Sequence, residues 1–156
     1  MSERPEGDPL SLDNQLCFAV YAASRALTGL YRELLADLGL TYPQYLVMLV
    51  LWERGTLPVK ELGAALRLDS GTLSPLLRRL EAGGLVARTR GTDDERVVRI
   101  ALTDRGAALR ERATGIPDRV LCATGIPEDG VGELRALLDR ITESAGAAAQ
   151  ELHAAR

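Results

Sequence analysis

The stretch VKELGAALRLDSGTLSPLLRRLEAGGLVARTRGTDDERVVRIAL, residues 59–102, decides the fold of this chain. Its first half contains two short segments in which apolar residues recur three and four positions apart, the spacing of a helix with one buried face. Between them, Arg67-Leu68-Asp69 is long enough only for a turn, and Asp69 can cap the second helix by accepting a free backbone N–H. The pattern predicts two helices joined by a tight corner.

The second of these helices has an apolar and a polar face. We expect the apolar face to be buried; it consists of Leu73, Leu76, Leu77 and Leu80. The polar face carries groups that can reach phosphates and base edges of DNA, namely Ser70, Thr72, Ser74, Arg78 and Arg79. Pro75 leaves two alternatives, because a proline deep in a helix loses a backbone hydrogen bond. Either the helix begins near Thr72, with Pro75 in its first turn, or the helix is bent.

Residues 85–102 predict a β-hairpin. Apolar and β-branched runs at 85–88 and 97–102 flank the glycine-containing polar loop RTRGTDDE. A two-helix corner followed by a hairpin is typical of a winged helix-turn-helix, which lays its second helix in the DNA major groove. Hairpin arginines can enter a minor groove, and the candidates are Arg88, Arg90 and Arg96. The alternative is that these arginines are solvated and paired with Asp93, Asp94 and Glu95.

The N-terminal part predicts a flexible start and one long helix. Residues 1–9 contain two prolines and a glycine, and we expect them to be flexible. Apolar residues at helical spacing then predict a helix that begins near Ser11 or Asp13 and runs to about Leu38. Gly39 is expected to end this helix.

A second helix precedes the helix-turn-helix. Thr41 and Gln44 fit a capping box, in which each side chain accepts a hydrogen bond from the other residue's backbone N–H. The following residues, YLVMLVLW, are strongly apolar and predict a helix that is buried on several sides. Residues 55–58 are expected to be a plain connection.

Further helices are predicted after the hairpin. Thr103 is expected to cap one, Ile116-Pro117 and Ile126-Pro127 to interrupt the chain, and Glu128–Leu152 to form a final amphipathic helix. The predicted fold is mainly α with a small β wing, and a two-fold dimer would present its reading helices about 34–36 Å apart. The predicted parts are dimerisation helices at 10–40 and 103–156 around a winged helix-turn-helix DNA-binding domain at 41–102.

Composition and charge limit the functions open to the chain. Its 156 residues carry a net charge of −3, yet residues 67–110 hold nine Lys and Arg against six Asp and Glu, which places positive charge on the suspected DNA-binding segment. The only histidine is His153 and the two cysteines form no CxxC motif, so we expect no metal site, no cofactor and no Cys–His catalytic pair. The sequence lacks a long apolar run and an apolar signal core, so we expect a cytoplasmic protein with no membrane partner.

Four stretches of this sequence resemble a known family. DSGTLSPLLRRLEAGGLVAR at 69–88 and DDERVVRIALTDRG at 93–106 resemble the MarR family of winged-helix regulators. LDNQLCFAVYAASR at 12–25 and LTYPQYLVMLVLWE at 40–53 narrow the resemblance to the organic hydroperoxide resistance regulators of that family, the OhrR subgroup. Together the resemblance extends from about Leu10 to the final helix.

The resemblance implies a thiol switch of the two-cysteine type. Cys17 matches the peroxide-sensing cysteine of the subgroup, and Tyr31 and Tyr42 match two tyrosines that approach it from the partner subunit. Tyr21 is a third tyrosine of that cluster. Cys122 lies in the region from which a second cysteine captures the oxidised one across the dimer. The implied protein is a homodimeric repressor that binds operator DNA when reduced and releases it after an organic hydroperoxide oxidises Cys17.

The chemistry of the residues agrees with this hypothesis. A thiolate attacks the O–O bond of a peroxide and becomes a sulfenic acid, which condenses with a nearby thiol to a disulfide. Phenol O–H groups are the available thiolate partners, and a hydrogen bond to a charged group contributes about 1.5–3 kcal/mol. The alternative is a ligand-sensing regulator of the same family with structural cysteines, since a cysteine on an apolar helix face is commonly a small buried hydrophobe. We do not expect an enzyme.

Overall fold

The computed structural model describes residues 8–156, and the chain divides into two compact units, Met1–Ile116 and Pro117–Arg156. Helices dominate both units, and the strands lie in the first, so the prediction of a mainly α fold with a small β wing is confirmed. In chain order the elements are α1 Leu16–Leu35, α2 Tyr42–Arg54, β1 Leu57–Pro58, α3 Val59–Leu66, α4 Ser70–Ala82, β2 Val86–Arg90, β3 Val98–Leu102, α5 Asp104–Ala113, α6 Ile116–Thr124 and α7 Glu128–Ala154.

The first helix is shorter than predicted. A 3-10 turn at Leu12–Asn14 precedes it, and α1 begins only at Leu16 because Gln15 has an extended backbone, with φ −89° and ψ 104°. The Gln15 amide holds this shape by donating to the carbonyl oxygens of Pro9, at 2.7 Å, and Ser11, at 3.2 Å. The predicted start at Ser11 or Asp13 is therefore wrong. At the other end α1 stops at Leu35, followed by a second 3-10 turn rather than continuing to Leu38.

The prediction of a flexible stretch at 1–9 concerns mainly residues 1–7, which lie outside the described residues. The remaining two are tied to the start of the chain's first turn. Asp8 accepts a hydrogen bond from the backbone N–H of Leu10 at 2.9 Å, and its carbonyl oxygen accepts from the Asn14 amide at 3.1 Å.

The second helix forms the centre of the core. The predicted capping box is confirmed: Thr41 Oγ1 accepts from the Gln44 backbone N–H at 3.4 Å, and Gln44 Oε1 accepts from the Thr41 backbone N–H at 2.9 Å. Apolar side chains on several sides of α2 are buried, as its composition predicts. The core they share with α3, α4 and the sheet includes Tyr45, Val47, Met48, Leu51, Leu62, Leu73, Leu77, Leu80 and Ile100.

The corner between α3 and α4 has the predicted form. Arg67 adopts a left-handed backbone with φ 54°, which reverses the chain, and Asp69 caps α4 by accepting the Thr72 backbone N–H at 2.7 Å. Helical hydrogen bonding starts at once, since the Leu73 N–H donates to the Asp69 carbonyl at 3.0 Å. The alternative start near Thr72 is therefore wrong, and Pro75 lies inside the helix, on its exposed side.

The sheet has three antiparallel strands in the order β1-β3-β2. The wing hairpin is confirmed, with Val86 opposite Leu102 and Arg90 opposite Val98, so β2 extends two residues beyond its predicted end. The residues expected to be a connection supply a third strand, because Leu57 pairs with Ile100 at the other side of β3. A two-residue strand that contains a proline suits a sheet edge, where the missing N–H faces away from the ladder.

The C-terminal helices follow the prediction with one correction. Thr103 caps α5, because its Oγ1 accepts the Gly106 backbone N–H at 3.0 Å. Ile116-Pro117 does not merely interrupt the chain: it starts α6, since a proline in the first helical turn has no N–H to leave unpaired. The final helix α7 runs over the predicted residues and ends at Ala154. Among the described residues no single helix could cross a membrane; only the bent pair Leu16–Leu38 and Tyr42–Arg54 has the combined length and composition, and much of its second helix is core.

Candidate nucleic-acid interface and thiol site

Helix α4, which the sequence predicts to be the DNA-reading helix, presents the predicted polar residues on its surface. Ser70, Thr72, Arg78 and Arg79 are exposed and Ser74 is half-buried, while the opposite stripe of four leucines is buried. Thr72 also serves the cap, because its hydroxyl donates to Asp69 Oδ2 at 3.2 Å. The backbone N–H and hydroxyl of Thr72 lower the pKa of Asp69, so the capping carboxylate is an anion at neutral pH.

Two residues that we did not select lie at the centre of the outward face. Gly71, Pro75 and Arg78 are four and three positions apart, so they form one line along α4, opposite the buried leucines. Gly71 has no side chain and Pro75 has a short one, so a DNA groove could approach the first turns of the helix closely. The helical spacing of the buried leucines was the signal that could have identified both residues.

Of the three candidate wing arginines, one forms an ion pair and two do not within residues 8–156. Arg88 Nε lies 3.3 Å from Glu81 Oε2 on α4, so its partner is not one of the three acidic wing residues. Asp94 instead uses its carboxylate to accept the Arg96 backbone N–H at 3.0 Å, which shapes the tip of the wing. Within residues 8–156, the exposed side chains of Arg90 and Arg96 have no carboxylate within 4.0 Å. These two guanidinium groups are available to phosphates.

Both cysteines are free and exposed. Cys17 lies in the first turn of α1. Tyr21 follows one turn later and is 58% exposed, with the Arg25 guanidinium 5.7 Å from its ring centroid. Cys122 lies on α6, in the second unit.

Tyr31 and Tyr42 are brought together by α1 and α2. Their ring centroids are 4.3 Å apart and the rings are stacked at 30°. Tyr45 joins them at 5.8 Å from Tyr31, and Trp52 contacts Tyr45 edge-on at 6.2 Å. Tyr21 makes no ring contact with this group in the described part of the chain. We did not select Tyr45, although its position three residues after Tyr42 on one helix was a usable signal.

The tyrosine hydroxyls are held protonated. Burial raises the pKa of Tyr31 to about 12, with smaller contributions from Tyr42 and Tyr45. Burial also raises the pKa of Tyr42 and of Tyr45 above the ordinary value. Each phenol is therefore a hydrogen-bond donor throughout the neutral pH range, as a partner of a thiolate must be.

Cys17 cannot reach these phenols within its own chain. Cys17 and Tyr31 both lie on α1, fourteen positions apart, which corresponds to about 21 Å along a helix axis. A side chain covers a small part of that distance. A thiol–phenol contact at this site therefore requires the Cys17 of one chain and the tyrosines of another.

Comparison with known proteins shows which family the chain resembles. A family model described as transcriptional regulator SarA/Rot matches residues 29–112. The chain is 54% identical over 154 residues to the HTH-type transcriptional regulator TtmR of Methylorubrum extorquens, covering 99% of this chain and 75% of that protein. It is 47% identical over 137 residues to the organic hydroperoxide resistance transcriptional regulator of Bacillus subtilis, covering 88% and 93%. Because the curated relatives are transcriptional regulators, an enzymatic role is not supported.

One similar protein of solved structure is known in several oxidation states. The structure is similar to reduced AbfR bound to DNA, a protein of Staphylococcus epidermidis, with a TM-score of 0.72, 36% identity and coverage of 86% of this chain and 93% of that one. AbfR is also known in an overoxidized form bound to DNA and in a disulfide form, the latter with a TM-score of 0.62 and 38% identity.

Proposed function

The chain belongs to the MarR family of winged-helix transcriptional regulators, and from this premise we propose that it is a peroxide-sensing repressor. The reduced homodimer binds double-stranded operator DNA in the cytoplasm. It releases the DNA when an organic hydroperoxide oxidises Cys17 and a disulfide then forms with Cys122 of the other subunit. One observation carries the proposal: the exposed thiol of Cys17 and the phenol of Tyr31, which is stacked on Tyr42 of α2, lie on the same helix, too far apart to meet except across a dimer.

The reader supplies the DNA-binding half of the proposal. The outward face of α4 enters the major groove, where Arg78 contacts base edges and the flanking hydroxyls and Arg79 contact phosphates. The wing places Arg90 and Arg96 at the adjacent minor groove, and Arg88 is held at the base of the wing by Glu81. The surplus of positive charge on residues 67–110 favours this orientation.

Exposed apolar side chains support the homodimer. Leu12 and Leu16 are 57% and 68% exposed in the single chain, and further large apolar residues are exposed on α1 and α7. Several large apolar side chains exposed on one helix mark an interaction site. The further residues are Phe18, Val20, Leu27, Leu134, Leu137, Leu138 and Ile141.

The sensing step begins with the Cys17 thiolate. Its sulfur attacks one peroxide oxygen, an S–O bond forms as the O–O bond breaks, and the other oxygen leaves as an alcohol after taking up a proton. Tyr31 and Tyr42 of the partner donate hydrogen bonds that stabilise the thiolate, and Tyr21 lines the same face as Cys17. The Cys122 thiol of the other subunit then attacks the sulfenic acid, forming a disulfide and releasing water.

The disulfide, and not oxidation alone, is the releasing event in this proposal. The similar AbfR protein is known in an overoxidized form that is bound to DNA. A disulfide also imposes a distance, because its Cα atoms lie within about 7 Å of each other. Closing that distance between subunits moves the helices that carry the two readers.

The first experiment tests release. A duplex selected from a random library by the reduced protein serves as probe, cumene hydroperoxide as oxidant, and fluorescence anisotropy as readout. We expect wild type to release DNA and to form an inter-subunit crosslink on a non-reducing gel, and Cys17→Ser to do neither. Cys122→Ser is expected to react with the peroxide and keep its DNA. Release of Cys17→Ser at the wild-type peroxide concentration would refute the proposal.

The second experiment tests the shared site. A Cys17→Ser chain keeps its tyrosines, and a Tyr31→Phe/Tyr42→Phe chain keeps its thiol, so a heterodimer of the two contains one complete site. We expect the Cys17 thiol of the heterodimer to be oxidised about tenfold or more faster than that of the Tyr31→Phe/Tyr42→Phe homodimer. A factor of this size is equivalent to one hydrogen bond to a charged group. If mixing does not restore the rate, the tyrosines do not act across the dimer.

A groove in the first unit favours the second candidate, a ligand-sensing regulator with structural cysteines. It has a volume of about 500 Å³ and includes Leu38, Leu85 and Leu109 with two guanidinium groups. Arg105 donates to the Gly83 carbonyl at 3.0 Å and Arg112 to the Asp37 carbonyl at 2.8 Å, so each keeps N–H groups for an anion. Release of DNA by an aromatic acid under full reduction would support this candidate.

A further inference from the structure

We propose that Trp52 is a positioning residue that carries the state of the tyrosine cluster to the DNA-reading surface. The inference rests on the proposed function, because it needs an oxidation-dependent change at Tyr31 and Tyr42. It adds a route within one chain, from those phenols through the indole ring to the turn that joins the reading helix to the wing.

The route begins with a continuous row of aromatic rings. Tyr31 is stacked on Tyr42 at 4.3 Å and contacts Tyr45 at 5.8 Å, and Tyr45 contacts Trp52 at 6.2 Å with the rings at 68°. Tyr45 is only 1% exposed, so it has no free space into which it could turn. Close-packed rings transmit a displacement, because a packed interior deforms little.

The row ends on the backbone of α5. The Trp52 Nε1–H donates to the Gly106 carbonyl oxygen at 2.9 Å, a contact between residues 54 positions apart. Gly106 in turn lies against Leu85, the residue before β2: a Cβ added to Gly106 would overlap the Leu85 carbonyl oxygen and lie 2.9 Å from the carbonyl carbon. The indole therefore holds the part of α5 that packs directly on the first residue of the wing.

The cap and first turn of α5 make three further hydrogen bonds to the connection between α4 and β2. Thr103 Oγ1 donates to the Gly84 carbonyl at 2.6 Å, and the Thr103 backbone N–H donates to the Leu85 carbonyl at 3.1 Å. Arg105 donates to the Gly83 carbonyl at 3.0 Å. A shift of α5 against this connection changes the angle between reading helix and wing, the two parts that contact DNA.

Trp52→Phe tests the inference, because it keeps an aromatic ring and removes the N–H that holds α5. The measured quantity is the ratio of the Kd for the library-selected duplex in the peroxide-oxidised form to that in the reduced form. We expect the reduced variant to bind DNA and its ratio to fall about fivefold or more, within the range of couplings between distant sites. Glu53→Gln is the matched control, since this neighbouring side chain is exposed and contacts Arg54 at 3.8 Å.

A second measurement uses the wild-type protein and needs no folding of a variant. Trp52 is the only tryptophan of the chain, so its emission reports on this one contact. We expect the emission to change when cumene hydroperoxide oxidises wild type, and to stay constant in Cys17→Ser.

The outcomes separate the two proposals. If oxidised wild type keeps its DNA, the peroxide-sensing proposal fails. If oxidised wild type releases DNA while Trp52→Phe keeps the wild-type ratio, or while the tryptophan emission does not change, the sensing proposal stands and the role of Trp52 is refuted.

Discussion

The contact between α5 and the start of the wing leads to a prediction about Gly106→Ala. The new methyl group would overlap the Leu85 carbonyl oxygen and lie 2.9 Å from the Leu85 carbonyl carbon and 3.3 Å from Leu102 Cδ2. Two of these atoms belong to the backbone and cannot turn aside as a side chain would. The helix must therefore move away from β2, and its carbonyl oxygen must move away from the Trp52 indole N–H.

The magnitude follows from these two effects. Overpacking a tight contact costs about 1–3 kcal/mol, and losing the indole hydrogen bond costs about 0.5–1.5 kcal/mol. Together they lower the free energy of unfolding by about 1.5–4.5 kcal/mol, which lowers the Tm of a chain of this size by about 3–18 °C.

Thermal unfolding followed by circular dichroism at fixed protein concentration measures this effect. Gly132→Ala is the matched control, because its Cβ would meet nothing within 4 Å and it lies inside α7. Alanine there raises stability by about 0.4–1 kcal/mol. Equal Tm values for Gly106→Ala and wild type would show that α5 does not pack on Leu85 as described.

Three further predictions concern the reader, the phenols and the cap. Arg78→Ala weakens binding to the selected duplex by about 1–3 kcal/mol and relaxes its base preference. Arg96→Ala reduces the slope of log Kd against log salt concentration by about one, the value for one phosphate contact. Anisotropy titrations at several salt concentrations measure both effects. Tyr31 has a pKa raised to about 12, so its contribution to stability is complete below pH 10 and is lost as the pH rises towards 12; absorbance at 295 nm with circular dichroism should show ionisation and unfolding together. Asp69→Ala removes the α4 cap and lowers the midpoint of urea unfolding; because the pKa of Asp69 is lowered, the wild-type cap persists until the pH falls below the ordinary range of a carboxyl group.

The parts of the fold that the sequence predicts well depend on neighbours three or four residues away. The caps at Thr41, Asp69 and Thr103 each involve a side chain and a backbone N–H three positions on, so the residues themselves specify them. The errors have longer-range causes. Leu57 becomes a strand only because Ile100, 43 positions away, offers an edge. The start of α1 depends on the Gln15 amide bonding to two carbonyls of a preceding turn.

The same distinction applies to the candidate site. The reading face of α4 follows from helical periodicity, and only its central Gly71 and Pro75 escaped selection, because neither carries a polar group. The pairing of Arg88 with Glu81 could not be read from the wing sequence, which offers three carboxylates of its own. The distance between Cys17 and Tyr31 follows once both are known to lie on one unbroken helix. This distance means that the two residues can meet only between different chains of a dimer.

In the proposed mechanism the oxidation of the cysteines and the binding of DNA are coupled through one dimer, and this coupling acts in both directions. If the Cys17–Cys122 disulfide weakens operator binding by a given factor, bound operator must disfavour that disulfide by the same factor, because the two equilibria form a closed cycle. For a two-electron couple, each tenfold change corresponds to about 30 mV in reduction potential. The potential of the cysteine pairs, measured in glutathione buffers with and without the selected duplex, should therefore be lower without the duplex, by this amount for every tenfold loss in affinity that each of the dimer's two disulfides causes. A potential that ignores the duplex, in a protein whose disulfide form has lost DNA, would show that release occurs by some other change than this disulfide.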